Sequence, residues 1–367
     1  MDEMTKTIPI VIPSYEPDER LITLLNDLNA AGLGPVIIVN DGSGTEYDEI
    51  FSRAEKLIEG NGGKLISYRP NKGKGRALKT AFSYIAENMP DALGCVTADS
   101  DGQHTPGCIA SIMDAFRKAP ENLILGVRTF DGEDIPWKSR FGNNLTVKVF
   151  AYVSGVRISD TQTGLRGIPF KFMKDLIDVK GERFEYETRM LLECAGLYKI
   201  TEVPIKTVYD SKENHQTHFD PFKDSIRIYK ILGVKFVKYV FASLSSFVVD
   251  ILLFTLFCWL FEKVIPDDYI VPVATVCARV FSATYNYTVN YFLVFKSRAG
   301  KVTSLAKYAL LAFVQMLASA GLVWGFVKLL PFIPKTVIKC IIDTLLFLLS
   351  YSIQQKFVFA SGKKKKG

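Results

Sequence analysis

The sequence predicts an α/β domain built on a parallel sheet, followed by an all-α domain of four transmembrane helices. Three observations carry this. Between Ile8 and about Val127, short apolar runs alternate with amphipathic stretches. Beyond Phe236, four apolar segments follow one another, each near or above the roughly 20 residues needed to cross a hydrocarbon core. Charge is also split: residues 1–235 hold 30 Lys+Arg against 33 Asp+Glu, whereas residues 236–367 hold 15 against 5. The net charge of +7 therefore comes from the second half, where lysines flank apolar stretches as they do at cytoplasmic membrane edges. This distribution speaks against nucleic acid as a partner, because a surface for a polyanion would place its basic residues on the folded domain.

In chain order, IPIVIP, PVIIVN, KLISY, LGCVTA and NLILGV are the expected strands, separated by amphipathic stretches near 18–31, 47–60 and 73–88. Such alternation predicts a parallel sheet with helices on both faces. Ligands of open sheets bind beyond the carboxyl ends of the strands. That rule singles out Tyr15 and Glu16, Asp41, Arg69 to Asn71, Asp99 to Gln103, and Arg128. The polar N-terminus, Met1 to Thr7, leads directly into the first strand and has no signal-peptide pattern, so the first domain is expected to stay in the cytosol. Six scattered cysteines suggest neither a disulfide framework nor a zinc site.

Residues 129–220 read as helix, strand and loop, ending in the polar segment YDSKENHQTHF. A juxtamembrane stretch at 221–235 interleaves Lys223, Arg227, Lys230 and Lys235 with Ile226, Ile228, Ile231 and Leu232, the pattern of an amphipathic helix lying on a membrane surface. The expected domains are thus 1–220, 221–235 and 236–367. The apolar segments fall at roughly 236–261, 270–294, 305–330 and 336–358. With the first domain inside, the basic loop carrying Lys296, Arg298, Lys301 and Lys307 and the tail Lys363 to Lys366 also lie inside. The second and fourth segments end alike, in NYTVNYFLVFKS and LLSYSIQQKFVFAS, and the first and third open with a Lys-Tyr pair at Lys238 and Lys307, which suggests a duplicated helical hairpin. Asp250, Arg279, Asn286, Asn290 and Asp343 fall within these segments, where polar groups are costly. Asp250 and Arg279 are expected either to pair or to line a polar path, the alternative being hydrogen bonds that only fix packing.

CVTADSDGQHTP is the most informative stretch. A strand ends in Asp99, Ser100 and Asp101 and continues through Gly102 to Gln103, so two carboxylates and an amide converge. Hard oxygen ligands of this kind suit Mg²⁺ or Mn²⁺ held against a diphosphate. VIPSYEPDE places Tyr15 and Glu16 after the first strand, and IIVNDGSGT places Asp41 where a carboxylate can accept from a base or ribose. NKGKGRALKTAF is a glycine turn opening a helix. It has the spacing of neither a P-loop nor a dinucleotide fingerprint, and its glycines are read as turn formers.

The series IPSYEP, VNDGSGT, NKGKGRAL, ADSDGQHTP, GVRTF, DTQTGLRG and EVPIKT resembles the family 2 glycosyltransferases of GT-A fold, in their dolichyl-phosphate mannose synthase-like branch, over residues 6–210. The final third resembles the GtrA-like membrane family through SFVVD and NYFLVF. The resemblance implies that Pro13, Tyr15, Glu16, Asp41, Asp99, Asp101 and Gln103 bind the nucleotide sugar, and that Asp99, Asp101 and Gln103 surround the cation. Arg128 and Arg140 would hold phosphates, Asn144 would lie near the acceptor, and Asp101 would complete the catalytic set. The family's Ser-Lys pair after EVPI is missing here; Lys212, His215, His218 or Lys223 are the available substitutes.

A phosphate acceptor is already an anion at neutral pH and needs no general base, so metal and arginines suffice to hold two negative groups together. The expected reaction is transfer of a hexose, with inversion, from UDP-glucose or GDP-mannose to a polyprenyl phosphate, on a multi-pass membrane protein whose first domain and C-terminus are cytoplasmic. Its membrane half would anchor it or aid translocation of the product, and association into a homo-oligomer stays open. A transporter with a regulatory nucleotide-sugar domain is the alternative. A polysaccharide synthase is disfavoured because Gln162 to Arg166 reads Q-T-G-L-R rather than Q-x-x-R-W.

Overall fold

The computed structural model describes residues 6–128, 137–195, 197–205, 223–295, 297 and 299–360, and of 137–145 and 223–228 only the backbone. The chain divides into two compact units, Met1–Ile231 and Leu232–Gly367.

Among the described residues, the first unit is a sheet of seven strands with helices on both faces. Its strands are β1 (Ile10–Ser14), β2 (Val36–Asp41), β3 (Lys64–Tyr68), β4 (Gly94–Thr97), β5 (Leu123–Arg128), β6 (Arg166–Pro169) and β7 (Ile200–Ile205). Its helices are α1 (Glu19–Ala30), α2 (Asp48–Glu59), α3 (Lys74–Asn88), α4 (Pro106–Lys118), α5 (Trp137–Ser154), α6 (Phe170–Ile177) and α7 (Glu185–Cys194). The spatial order is β3-β2-β1-β4-β6-β5-β7. All five strands expected from apolar runs are present, and β1, β2, β4 and β5 are continuously buried up to Val127, as strands covered on both faces must be. The sheet is nevertheless mixed, not parallel. β6 enters antiparallel between β4 and β5, with Thr97 opposite Arg166 and Leu125 also opposite Arg166. This four-residue strand opens on a charged side chain, so no apolar run announces it. The helix boundaries have local causes: the Asp18 carboxylate accepts the Arg20 N–H at the start of α1, and Thr105 caps α4 ahead of Pro106.

The second unit holds most of α8 (Lys223–Phe261), whose first turns belong to the first unit, together with α9 (Asp267–Val289), α10 (Lys301–Leu329) and α11 (Lys335–Ile353). Among the described residues, three helical stretches are long and apolar enough to cross a membrane: Tyr229–Phe261, Lys301–Leu329 and Lys335–Val358. α9 has the length but is not one of them: Asp267 and Asp268 open it, and Pro272 and Arg279 lie inside it. Large apolar side chains, among them Trp259, Phe281 and Trp324, are exposed along these helices, as a lipid-facing surface requires.

The two hairpins of this unit repeat each other's packing. Both end in a five-residue turn of π-helix, closed by Phe295 N–H to Asn290 O at 2.9 Å and by Phe359 N–H to Gln354 O at 2.8 Å. Tyr239 of α8 meets Tyr351 of α11 with ring centroids 5.1 Å apart, and Tyr308 of α10 meets Tyr287 of α9 at 5.6 Å. Phe295 lies 5.7 Å from Tyr351, and Phe359 lies 5.8 Å from Tyr287. Phe295 and Phe359 stack on each other at 5.0 Å, and Asn290 donates to Gln354 at 3.2 Å, so each of these two contacts joins equivalent positions of the repeats. A duplicated hairpin with its second copy rotated about a pseudo-twofold axis accounts for all of them.

Candidate active site

The residues singled out by strand position gather at the carboxyl ends of β1, β2 and β4, and the structure gives several of them defined partners. Pro13 is buried within β1, while Tyr15 and Glu16 lie half-exposed just beyond it. Glu16 takes a left-handed backbone, φ 49°, and its N–H donates to the Ser43 hydroxyl at 2.9 Å. A non-glycine residue held in that region is uncommon and here turns the chain sharply at the strand end.

Asp41, 2% exposed, has four donors around its carboxylate. Its Oδ1 accepts from the Tyr68 hydroxyl at 2.7 Å and the Lys72 N–H at 3.0 Å, and its Oδ2 from the Asn71 amide at 3.0 Å and the Gly73 N–H at 2.8 Å. An ionised carboxylate has about four acceptor positions, and these four donors use them. Asp41 is therefore the anchor that fixes loop 69–73 and the start of α3. Gly42 permits the close approach: a Cβ there would lie 2.5 Å from the Pro70 carbonyl carbon.

Asp99 and Asp101 lie together in the turn after β4. Asp101 Oδ1 accepts the Gln103 N–H at 3.0 Å, which closes the turn, and the Asp99 N–H donates to His104 Nδ1 at 3.3 Å. The Asp99 carboxylate pairs with Lys74 Nζ at 2.6 Å, and the same ammonium reaches Glu187 of α7 at 3.0 Å. Burial alone would push Asp99 up, but Lys74 and His104 outweigh it and hold the carboxyl at about 2. Asp101 is pushed up, by burial and by the Asp99 charge beside it. Burial works against the Lys74 ammonium, yet Asp99 and Glu187 raise it above an ordinary lysine. His104 is lowered by burial. Among the described residues no three His, Cys, Asp or Glu side chains form a ready-made metal cluster.

Arg128 ends β5 in a bidentate pair with the fully buried Asp160, Nε to Oδ2 at 2.6 Å and a terminal nitrogen to Oδ1 at 3.0 Å. Asp160 also accepts the Gln162 N–H at 3.0 Å, so the DTQTG segment is tied to the strand end through Arg128. Arg166 is buried, donating to the carbonyls of Thr163 and Glu187 at 2.8 Å each. Arg140 and Asn144 lie on α5, but their side chains are outside the described residues, as are Lys212, His215, His218 and the side chain of Lys223.

Lys74, His104 and Asp160 lie inside the motifs NKGKGRAL, ADSDGQHTP and DTQTGLRG, yet only their partners in the fold single them out, and Glu187 lies outside every motif. Lys74 sits inside a segment whose glycines drew attention as turn formers; Glu187 sits on a helix far along the chain. The available signal was a charged residue at an apolar position of α7, between Tyr186 and Met190.

In the second unit, Asp250 accepts from the Ser282 hydroxyl at 2.7 Å and lies 3.6 Å from Arg279 Nε. Asp343 accepts from the Ser319 hydroxyl at 2.5 Å and pairs with Lys339 at 2.8 Å. Asp250 and Arg279 thus pair as expected, within a set of hydrogen bonds between helices.

Residues 10–177 match the family model described as glycosyl transferase family 2. The first unit has a Rossmann-like arrangement of strands and helices, and this match gives its class as glycosyltransferase. Residues 238–359 match the GtrA/DPMS transmembrane domain, so the chain joins a family 2 glycosyltransferase domain to a membrane domain of that family. Among its relatives, a UDP-N-acetylglucosamine–dolichyl-phosphate N-acetylglucosaminyltransferase of Methanococcus voltae is 27% identical over 223 residues, covering 56% of this chain and 86% of the relative. A dolichyl-phosphate hexose transferase of Haloferax volcanii is 26% identical over 226 residues, covering 61% and 91%. A solved mannosyltransferase from Pyrobaculum calidifontis, in complex with GDP-Man and Mn²⁺, aligns with 97% of this chain and 89% of its own at 14% identity and a TM-score of 0.39.

Proposed function

We propose that the protein transfers a sugar from a nucleotide sugar to a polyprenyl phosphate, by single displacement with inversion at the anomeric carbon. The observation that carries this reading is the Asp99–Gln103 turn at the carboxyl ends of a buried sheet, on a chain that continues into apolar helices. A water-soluble donor and a lipid acceptor need both parts. The two dolichyl-phosphate relatives support the acceptor class, and their names divide between N-acetylglucosamine and hexose. UDP-glucose, GDP-mannose and UDP-N-acetylglucosamine are accordingly the donors to try.

The residues fit a hard divalent cation. Burial and the Asp99 charge both disfavour the ionised form of Asp101, a situation that a cation beside it relieves. Mg²⁺ is ordinarily held by one or two carboxylates with substrate phosphates completing its shell, which agrees with a turn that lacks a third acidic ligand. Asp101 and Gln103 would hold Mg²⁺ or Mn²⁺, with Asp99 beside them. The cation, when bound, supplies positive charge next to the departing diphosphate. Arg128, fixed by Asp160, and Arg140 on α5 are the side chains assigned to the phosphates, and Asn144 to the acceptor. The acceptor phosphate is an anion already, so no side chain has to remove a proton from it.

The membrane half is assigned four spans, with the catalytic domain and the lysine tail on the cytoplasmic side; the basic stretch expected as a surface helix is, from Lys223 on, the start of the continuous α8 and is assigned to the entry of the first span from that side. Radiolabelled UDP- and GDP-sugars presented with a polyprenyl phosphate and Mn²⁺, in membranes holding the wild type or Asp101→Ala, test the reading. Metal-dependent label in a lipid product, lost in the variant, is the expected result. An α-linked donor giving an α-linked lipid product would overturn inversion, and no transfer from any donor would overturn the reaction.

A further inference from the structure

We propose that Lys74 is a positioning residue that makes cation binding at the Asp99–Asp101 turn depend on the donor's diphosphate. The inference rests on the nucleotide-sugar reading above and adds an order to it: the cation is taken up together with the donor and not before it.

Lys74 is held in place from behind. It stands in the first turn of α3 between two glycines that pack against the chain at the start of α7: Gly73, at φ 102°, and Gly75, where a Cβ would lie 2.6 Å from Tyr186 Cβ. Its side chain, 17% exposed, places Nζ 2.6 Å from Asp99 and 3.0 Å from Glu187. Gly164 closes another side of the Asp99 carboxylate, leaving no room there for a Cβ. Glu187 in turn lies 4.0 Å from a terminal nitrogen of Arg166 that has no hydrogen-bond acceptor among the described residues. Lys74 therefore stands where it offsets the carboxylate that a divalent ion would otherwise meet beside Asp101.

Three carboxylates, Asp99, Asp101 and Glu187, thus face two fixed cations, Lys74 and Arg166. The remaining negative charge is small, and a hard divalent ion gives up its water reluctantly. A diphosphate adds the missing anionic oxygens. By linkage, the factor by which the diphosphate tightens cation binding is the factor by which the cation tightens diphosphate binding, ordinarily about 5- to 150-fold.

The test is a Mn²⁺ titration followed by electron paramagnetic resonance on the full-length protein in detergent, alone and with UDP or GDP, for wild type, Lys74→Met, Lys74→Arg and Glu187→Gln. In the wild type the nucleoside diphosphate should tighten Mn²⁺ binding within that range. Lys74→Met should bind Mn²⁺ alone at least about fivefold more tightly than wild type and lose most of the coupling, whereas Lys74→Arg should retain it. Glu187→Gln, which removes a carboxylate and leaves Lys74, should bind Mn²⁺ alone more weakly. A lysine that only braces the fold would loosen Mn²⁺ binding when removed, so unchanged or weaker binding by Lys74→Met overturns the proposal. If that variant does not fold, unchanged or tighter binding by Glu187→Gln overturns it. Tighter binding by Lys74→Met, with no effect of either nucleotide on the wild type, would instead count against the nucleotide-sugar reading.

Discussion

Asp41 Oδ2 accepts the backbone N–H of Gly73 at 2.8 Å and Asp41 Oδ1 that of Lys72 at 3.0 Å, so the end of the second strand is fastened to the start of the third helix. Asp41→Asn keeps the shape but replaces one acceptor oxygen by a donor that faces donors. Groups left unsatisfied in a buried place cost about 1–3 kcal/mol each, and Asp41 is 2% exposed. The variant should lose about 3 kcal/mol and unfold several degrees lower in a thermal scan. Its donor KM should rise more than its kcat falls, because loop 69–73 frames the site without reaching the reacting atoms. A donor KM unchanged in a stably folded variant would remove that loop from the site.

Arg128 and Asp160 give a way to separate packing from phosphate contact. Removing one partner of a buried pair costs about 3–5 kcal/mol, whereas replacing both by apolar groups is often close to neutral. Asp160→Leu alone should therefore be strongly destabilised, and Arg128→Met with Asp160→Leu should regain much of the loss. Turnover should not return with it, since the strand end then lacks its cation. Recovery of both thermal midpoint and kcat in the double variant would make the pair purely structural.

The Glu182 carboxylate joins α3 to the chain ahead of α7 by accepting from Arg76 Nε at 2.6 Å and Lys79 at 2.8 Å. Burial raises its pKa, but the bonds from Lys79 and Arg76 outweigh burial and bring it below the ordinary 4.5. A depressed carboxyl stabilises the fold above its unfolded value and loses that contribution as pH falls toward its folded one. The stability gap between wild type and Glu182→Gln should be constant at neutral pH and shrink below about pH 4.5. With the side chain 42% exposed, the gap should be modest, about 1 kcal/mol. Parallel unfolding curves at pH 7 and pH 4 would show it, and a gap that widens in acid would reverse the assignment.

Where structure follows from local pattern, the sequence was readable. The apolar runs ending at Asn40, Tyr68, Ala98 and Val127 are strands, and Asp99, Asp101 and Gln103 share one turn, because all are neighbours along the chain. The antiparallel β6 was not readable: its four residues, RGIP, carry no run of their own and are strand-like only through pairing with Thr97 and Leu125. The partners of the readable residues were hidden for a related reason. Lys74 meets Asp99 and Glu187, and Arg128 meets Asp160, across separations that no motif spans. Asp41 stands at the expected strand end, but its four donors were not legible there, since they come from the last residue of β3 and the loop after it, about 30 residues away.

In the membrane unit, Asn290 is fully buried, donating to Asn286 at 2.7 Å and to Gln354 at 3.2 Å, while Gln354 donates to Tyr239 at 3.4 Å and Ser350 at 3.1 Å. Asn290 and Gln354 begin the two π-helical turns, and their mutual bond joins equivalent points of the repeats. Polar side-chain bonds between membrane helices are worth about 0.6 kcal/mol on average and about 1.7 at most. Asn290→Leu and Gln354→Leu should each destabilise the bundle within that range, by similar amounts if the repeats share the load. Because the two residues share one bond, the double variant should cost less than the sum of the singles. Unfolding of the four proteins in mixed detergent measures the cycle. Additive losses would mean that each amide is held by its own hairpin and that the repeats do not support each other through this contact.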